Sequence, residues 1–195
     1  MEIVIALAVK FWQWSVLIAF VIIGFAINLF DRKKPKCYTF KYNEMPQLKP
    51  LPIKTKGKGF FKAIAMWLLA TRNWELTADF YYKLNDKKYV IPKGFQFDGA
   101  SIPKFLRTFF SPVGVLLVGG LVHDYGYKYQ TLLNANKKDT LGTISQKRAD
   151  EIFRDINIEQ NGFHFLNYLA YWALRLGGWA AWNGHRKRNC KIEME

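Results

Sequence analysis

The strongest constraint on this chain is an uncharged run near its amino end, Phe11 to Phe30. About 20 apolar residues are what a helix needs to cross the hydrocarbon core of a bilayer. Trp12 and Trp14 stand where an interfacial aromatic belt would lie. Asp31-Arg32-Lys33-Lys34-Pro35-Lys36 follows at once. The run is too long for a signal-peptide core and lacks a small-x-small cleavage site, so a retained transmembrane helix over 1–31 is expected. The positive flank after the span predicts an outside amino terminus and a single-pass topology, with the rest of the chain on the cytoplasmic side.

Residues 32–73 read as a basic linker and an amphipathic segment. Cys37 to Pro52 is polar and carries Pro46, Pro50 and Pro52, which suits a linker or an extended edge strand. Lys54 to Lys62 is a basic cluster with Gly57 and Gly59, a solvated loop rather than a phosphate loop. Phe60 to Ala70 has helical periodicity, for a place on a lipid surface or in the core.

Beyond that, 74–195 predicts an α+β domain: a β-hairpin, then mainly helices. Trp74 to Leu84 and Lys88 to Phe97 alternate around the turn signal Asn85-Asp86. Ser111-Pro112 leads into a helix over Val113 to Gln130. Gln130 to Gly142 is polar and reads as a surface loop. Ser145 is a plausible N-cap for a second helix with Ala149, Ile152, Phe153 and Ile156 on one stripe. Phe163 to Trp182 is apolar almost all round, but Arg175 and a Gly177-Gly178 break favour a core or interfacial helix over a second span. The tail His185 to Lys191 is basic and expected to be exposed.

The chain has 29 Lys and Arg against 15 Asp and Glu, a net charge of +14. Such a balance suits nucleic acid or an anionic lipid surface. No nucleic-acid recognition motif is evident, and the aromatic stretches read as strand and core, so nucleic acid is not the expected partner. Cys37 and Cys190 give no disulfide framework, and no zinc spacing or GxSxG nucleophile is present.

The chemistry concentrates between Phe95 and Tyr127 and in the second helix. On the first helix His123 and Tyr127 are four apart and share a face. Asp124 points about 100° away, toward another partner. Asp98 lies between Phe97 and Gly99, in a segment closed by Pro103; as a pair, Asp98 and Asp124 suit a hard cation such as calcium. A turn or cap role for Asp98 and Ser101 is the plainer alternative. If the two helices pack antiparallel, Asp150 reaches His123, fixing its tautomer and leaving the other nitrogen as a base. Otherwise Asp150 is an exposed carboxylate near Lys147 or Arg154.

His123-Asp124-x-Gly126-Tyr127 followed by Ala149-Asp150-x-x-Phe153 resembles the active-site helices of phospholipase A2, most closely prokaryotic and viral members. The Asp98-Gly99-x-Ser101 segment is similar to the calcium loop of the bacterial enzymes. The resemblance implies His123 as general base on water, Asp150 as its orienting partner and Tyr127 hydrogen-bonded nearby. It implies calcium on Asp98 and Asp124, with Gly99 offering backbone. Secreted relatives flank the His-Asp pair with disulfide cysteines, which this chain lacks. A longer pattern, Gly94 to Pro103, His123-Asp124, Ala149 to Phe153 and Arg175 to Trp182, resembles an uncharacterised family of small proteins common in phages and prophages.

Two functions are therefore expected as alternatives. One is a membrane-anchored, calcium-dependent phospholipid ester hydrolase acting on an anionic membrane, of the host or of a virion. The other is a structural or assembly protein of a phage particle, with virion or membrane-protein partners, in which the His-Asp-Tyr cluster is a buried polar network that fixes helix packing.

Overall fold

The computed structural model describes residues 39–53, 57–69, 73–98, 114–136, 140 and 142–189, with isolated positions between 12 and 29. Of the latter, Trp12, Ile18, Ile22, Ile23, Phe25 and Leu29 are helical and exposed. The remainder of the transmembrane anchor expected over 1–31 lies outside the described residues. So do Cys37, Cys190, the Ser111-Pro112 helix start, and 99–113 with Gly99. Among the described residues no helix is long and apolar enough to cross a membrane.

The architecture is α+β, with two small antiparallel sheets followed by a helical layer. The strands are β1 (Phe40–Tyr42), β2 (Leu48–Pro50), β3 (Trp74–Leu76), β4 (Phe80–Leu84), β5 (Lys87–Ile91), β6 (Gln96–Phe97) and β7 (Leu133–Asn134). One sheet has the order β1-β4-β5-β7 and the other β2-β3-β6. The described part of the stretch expected as linker or edge strand, 39–52, thus takes the edge-strand alternative, since β1 and β2 are edges of the two sheets. Side chains of β4 alternate, with Phe80, Tyr82 and Leu84 buried and Tyr81 and Lys83 outside, as a half-buried strand requires. Asn85 (φ 50°) and Asp86 (φ 63°) make the turn into β5, the left-handed pair that tight hairpins favour.

The single hairpin expected over 74–97 is divided between the sheets. Only 80–91 forms it. Trp74–Leu76 pairs instead with β2 and β6. Two local features cause the division. The Asp79 carboxylate accepts the Lys93 amide at 2.8 Å, and Gly94 turns the chain with φ 85°, a conformation glycine adopts without strain. A second correction concerns the expected surface loop after Gln130. Its start is β7, which pairs with β5, because Leu132 and Leu133 have an apolar sheet edge to cover.

Four helices are described: α1 (Phe60–Leu69), α2 (Leu117–Tyr129), α3 (Gln146–Asn161) and α4 (His164–Asn189). Phe60, Phe61 and Ile64 of α1 are exposed, so this face is not in the core. Helix α2 begins at Leu117, later than expected, after a turn closed by Leu117 N–H to Gly114 O at 3.0 Å. Helix α3 begins as expected, with Ser145 Oγ accepting the Arg148 amide at 3.2 Å. Helix α4 runs unbroken through Gly177-Gly178 to Asn189, and the described part of the basic tail, 185–189, belongs to it. That end is not simply exposed. Arg186 bonds the Tyr127 carbonyl, the Lys128 carbonyl at 3.1 Å and Gln130 Oε1 at 2.7 Å, satisfying carbonyls left orphaned at the end of α2.

Facing pairs run in opposite order along α2 and α3: Gly119 meets Asn157, His123 meets Asp150, and Tyr127 meets Gln146. The two helices are therefore antiparallel. Helix α4 covers them with Ala170 and Leu174 and turns Trp172, Leu176 and Trp179 outward. Glycine is required at 119, where a Cβ would strike the Asn157 amide. That amide is fully buried and donates to the Phe153 carbonyl at 2.9 Å. Gly119→Ala is expected to cost about 1–3 kcal/mol through overpacking, read as a lower denaturant midpoint with an unchanged slope.

Candidate active site

Asp150 is fully buried, on the inner edge of the α3 stripe. An ionised carboxylate survives there only if its oxygens are bonded and its charge is met. Both conditions hold. His123 Nε2 lies 2.9 Å from Oδ1 and the Tyr127 hydroxyl donates to the same oxygen at 2.6 Å. Arg175, reaching from α4, donates through Nη1 to Oδ2 at 2.6 Å. Gln146 Nε2 in turn donates to the Tyr127 oxygen at 3.2 Å. His123 and Tyr127 share a face of α2, with ring centroids 4.0 Å apart. The tyrosine has room because Gly178 faces it, where a Cβ would come within 2.5 Å of the phenol oxygen.

The electrostatics follow from this packing. Burial alone would lower the His123 pKa, but its hydrogen bonds to Asp124 and Asp150, and their negative charges, outweigh burial and raise it. Asp124 Oδ1 is 3.4 Å from Nδ1, so a protonated ring has a carboxylate on each side. Burial and then the charge of Asp150 push the Tyr127 phenol well up, which keeps it a donor. The hydrogen bond to Asp150 also raises the Arg175 pKa and holds the guanidinium charged.

Asp98 and Asp124 both lie among the described residues. They line one cavity of about 420 Å³, with Phe95, Phe97, Lys128 and His185 also in its wall. Two carboxylates fit a hard cation in kind, although calcium takes roughly six to eight oxygens. Among the described residues no group of three or more His, Cys, Asp or Glu side chains is arranged to hold a metal ion. The expected backbone contribution of Gly99 lies outside the described residues.

A family profile described as a protein of unknown function (DUF1353) matches residues 74–174. The chain belongs to the DUF1353 family. No curated protein and no solved structure matches it. The DUF1353 stretch holds His123, Tyr127, Gln146 and Asp150, whereas Arg175 is the first residue beyond it.

Sequence reasoning missed Arg175 and Gln146 as parts of this network. A signal for Arg175 existed: a lone cation inside an apolar helix needs a buried anion. Gln146 gave none, since a glutamine in a first helical turn is ordinarily solvated. The cavity residues Lys128, His185 and Arg188 were also missed, because their meeting depends on how α4 crosses α2.

Two outcomes follow for DUF1353 stability. Asp150→Asn removes the anion that pairs with the Arg175 guanidinium and orients the His123 ring, and should cost about 3–5 kcal/mol, the usual effect of breaking a buried ion pair, measured by chemical unfolding. The folded pKa of His123 lies above its unfolded value of about 6.5. Its stabilisation is therefore complete below that unfolded value and is lost as pH rises through the folded pKa. His123→Gln should flatten this alkaline decline in the unfolding midpoint.

Proposed function

We propose that the chain is a membrane-anchored hydrolase of phospholipid esters, with His123 as its base. The observation that carries the reading is the placing of one imidazole. Its Nε2 is on Asp150 at 2.9 Å and its Nδ1 is on the side of Asp124, which with Asp98 lines the cavity. A water approaching from the cavity gives its proton to Nδ1 while its oxygen attacks the ester carbonyl. The carbon–oxygen ester bond then breaks, and the departing alkoxide takes the proton from the imidazolium. Asp150 stabilises that imidazolium, and Tyr127 and Arg175 hold Asp150 in place. Asp98 and Asp124, with the Gly99 backbone, are the residues that would hold calcium. When bound, the ion supplies Lewis-acid polarisation of the carbonyl.

The resemblance of the motif helices to phospholipase A2 supports this reading. The exposed apolar positions between 12 and 29 and the +14 charge support attachment to an anionic membrane. The domain would stand on the cytoplasmic side of a host membrane or inside a virion membrane, in keeping with the resemblance to a phage-associated family. At about 100° per residue, Trp172, Leu176 and Trp179 fall on the face of α4 opposite Ala181, His185 and Arg188. Since the latter line the cavity, the tryptophan stripe does not border the substrate's route.

One observation favours a second reading, a non-enzymatic assembly protein of a phage particle. The side chains of His123 and Asp150 have 0% exposure, as a network that only fixes helix packing would have. Hydrolysis requires that water reach Nδ1 from the cavity.

Fatty-acid release from anionic liposomes by the full chain, with calcium and with a chelator, separates the two. Calcium-dependent release, reduced by about 10²–10⁴-fold in His123→Gln, is the expected result. A folded wild-type protein that releases nothing under either condition would establish the assembly reading instead. Isothermal titration with calcium should give a heat that Asp98→Asn and Asp124→Asn each diminish; equal heats in all three proteins would remove the metal from the proposal.

A further inference from the structure

The connection between β2 and β3 begins and ends at one point of the domain. The two strands pair antiparallel, with Pro50 opposite Trp74. Just beyond that pair the Leu51 amide donates to the Asn73 carbonyl at 2.8 Å. Residues 52–72, α1 among them, are therefore an excursion from the end of a hairpin. Hairpin connections ordinarily take about two to five residues, so this one carries something that the pairing does not need.

Helix α1 is the apolar part of the excursion. Phe60 is 73% and Phe61 85% exposed, and Ile64 is exposed as well. None of the side chains described in α1 is buried. At about 100° per residue, Phe60, Ile64 and Phe61 fall within one arc of the helix and Lys62 falls on the far side. The core, one of the two places that the sequence allowed for this segment, is excluded for these residues. A solvated loop does not account for two adjacent phenylalanines held out on a helix.

Charge indicates what covers the arc. Every charged residue from Lys54 to Arg72 is basic, and Lys58 and Lys62 are exposed. A helix with aromatic rings on one side and lysine on the other, flanked by cations alone, suits the plane of an anionic bilayer. The rings then lie at the acyl boundary and the ammonium groups among the headgroups.

We propose that α1 is a membrane-docking element, in which Phe60, Phe61 and Ile64 enter the interface of an anionic bilayer while Lys58 and Lys62 stay with its headgroups. It is a contact separate from the amino-terminal run. Its root belongs to the cavity wall. Asn73, where the chain returns, lines the cavity with Phe97, Asp98 and Asp124. Strand β3 pairs with β6, and Asp98 follows the end of β6 directly. That the cavity receives lipid there rests on the hydrolase reading; the docking itself does not.

Depth in the bilayer, rather than turnover, is the test. The full chain, with Cys37 and Cys190 replaced by serine, is reconstituted in vesicles of phosphatidylglycerol and phosphatidylcholine. One fluorophore is placed on Phe61→Cys or, for comparison, on Lys83→Cys, an exposed position of β4. Both labels share the same amino-terminal attachment, so an anchor acting alone leaves both in water. Docking predicts several-fold stronger quenching by nitroxide-labelled acyl chains at 61 than at 83, and the reverse order with aqueous cobalt. Lys58→Gln and Lys62→Gln should each lower the ratio of inserted to free label about fivefold, the worth of one cation at an anionic surface. Equal acyl-chain quenching at the two positions overturns the proposal, as does quenching that neither lysine variant alters. Shielding of position 61 from cobalt without acyl-chain quenching also overturns it, and assigns the face to protein, such as a second copy of the chain. Docked protein that releases no fatty acid counts against the hydrolase alone.

Discussion

A carboxylate with no contact with water holds the helical layer together. Asp150 accepts from Tyr127 and Arg175 and pairs with His123, so one side chain on α3 binds residues of α2 and α4. Removing such a charge from water costs several kcal/mol, recovered only when the geometry is right at every oxygen. Helix packing is therefore specified as well as stabilised. Sliding α2 along α3 by one turn would strand the charge.

Other features serve that arrangement. Gly178 leaves room for the Tyr127 phenol, and Gly119 and Gly126 let α2 approach α3 closely. Arg186 closes the carbonyl end of α2 and so fixes where His123 and Asp124 stand along their helix. The Arg154 guanidinium pairs with Asp155 at 2.7 Å and lies 5.0 Å from the centroid of the Tyr171 ring, joining α3 to α4 at a second point. The three-stranded sheet ends at Phe97, which sets Asp98 against the same cavity wall as Asp124. Asp124, 3.4 Å from His123 and in the cavity wall, thus stands between the buried polar network and the charged cavity.

The parts legible in the sequence are those governed by local rules. The α3 stripe, its Ser145 cap and the Asn85-Asp86 turn depend on residues close in the chain, and each stands where the pattern puts it. The meeting of His123 and Asp150 was also legible, because each stands on or beside the apolar face of its helix and antiparallel packing brings those faces together; the bond from Tyr127 was what the resemblance to phospholipase A2 implied. The division of the strands was not. It turns on an Asp79 contact to Lys93 and on which partner Trp74–Leu76 finds, choices made between segments rather than within them. The unbroken course of α4 was equally hidden, since glycines weaken a helix only where nothing else holds it.

By itself the sequence determined the secondary-structure periods, the presence of an acid and a histidine on apolar helix faces, the uncharged amino-terminal run and the basic charge. These are properties of composition and spacing, and no tertiary contact alters them. Only the tertiary structure decided that Asp150 is bound by Arg175, that the basic end of α4 folds back on α2, and that Asp98, Asp124, Lys128, His185 and Arg188 share one cavity. The physical reason is that a buried charge selects its partner by the distance and direction available after the helices have packed. Arg175 lies 25 residues from Asp150, and no local rule carries that far.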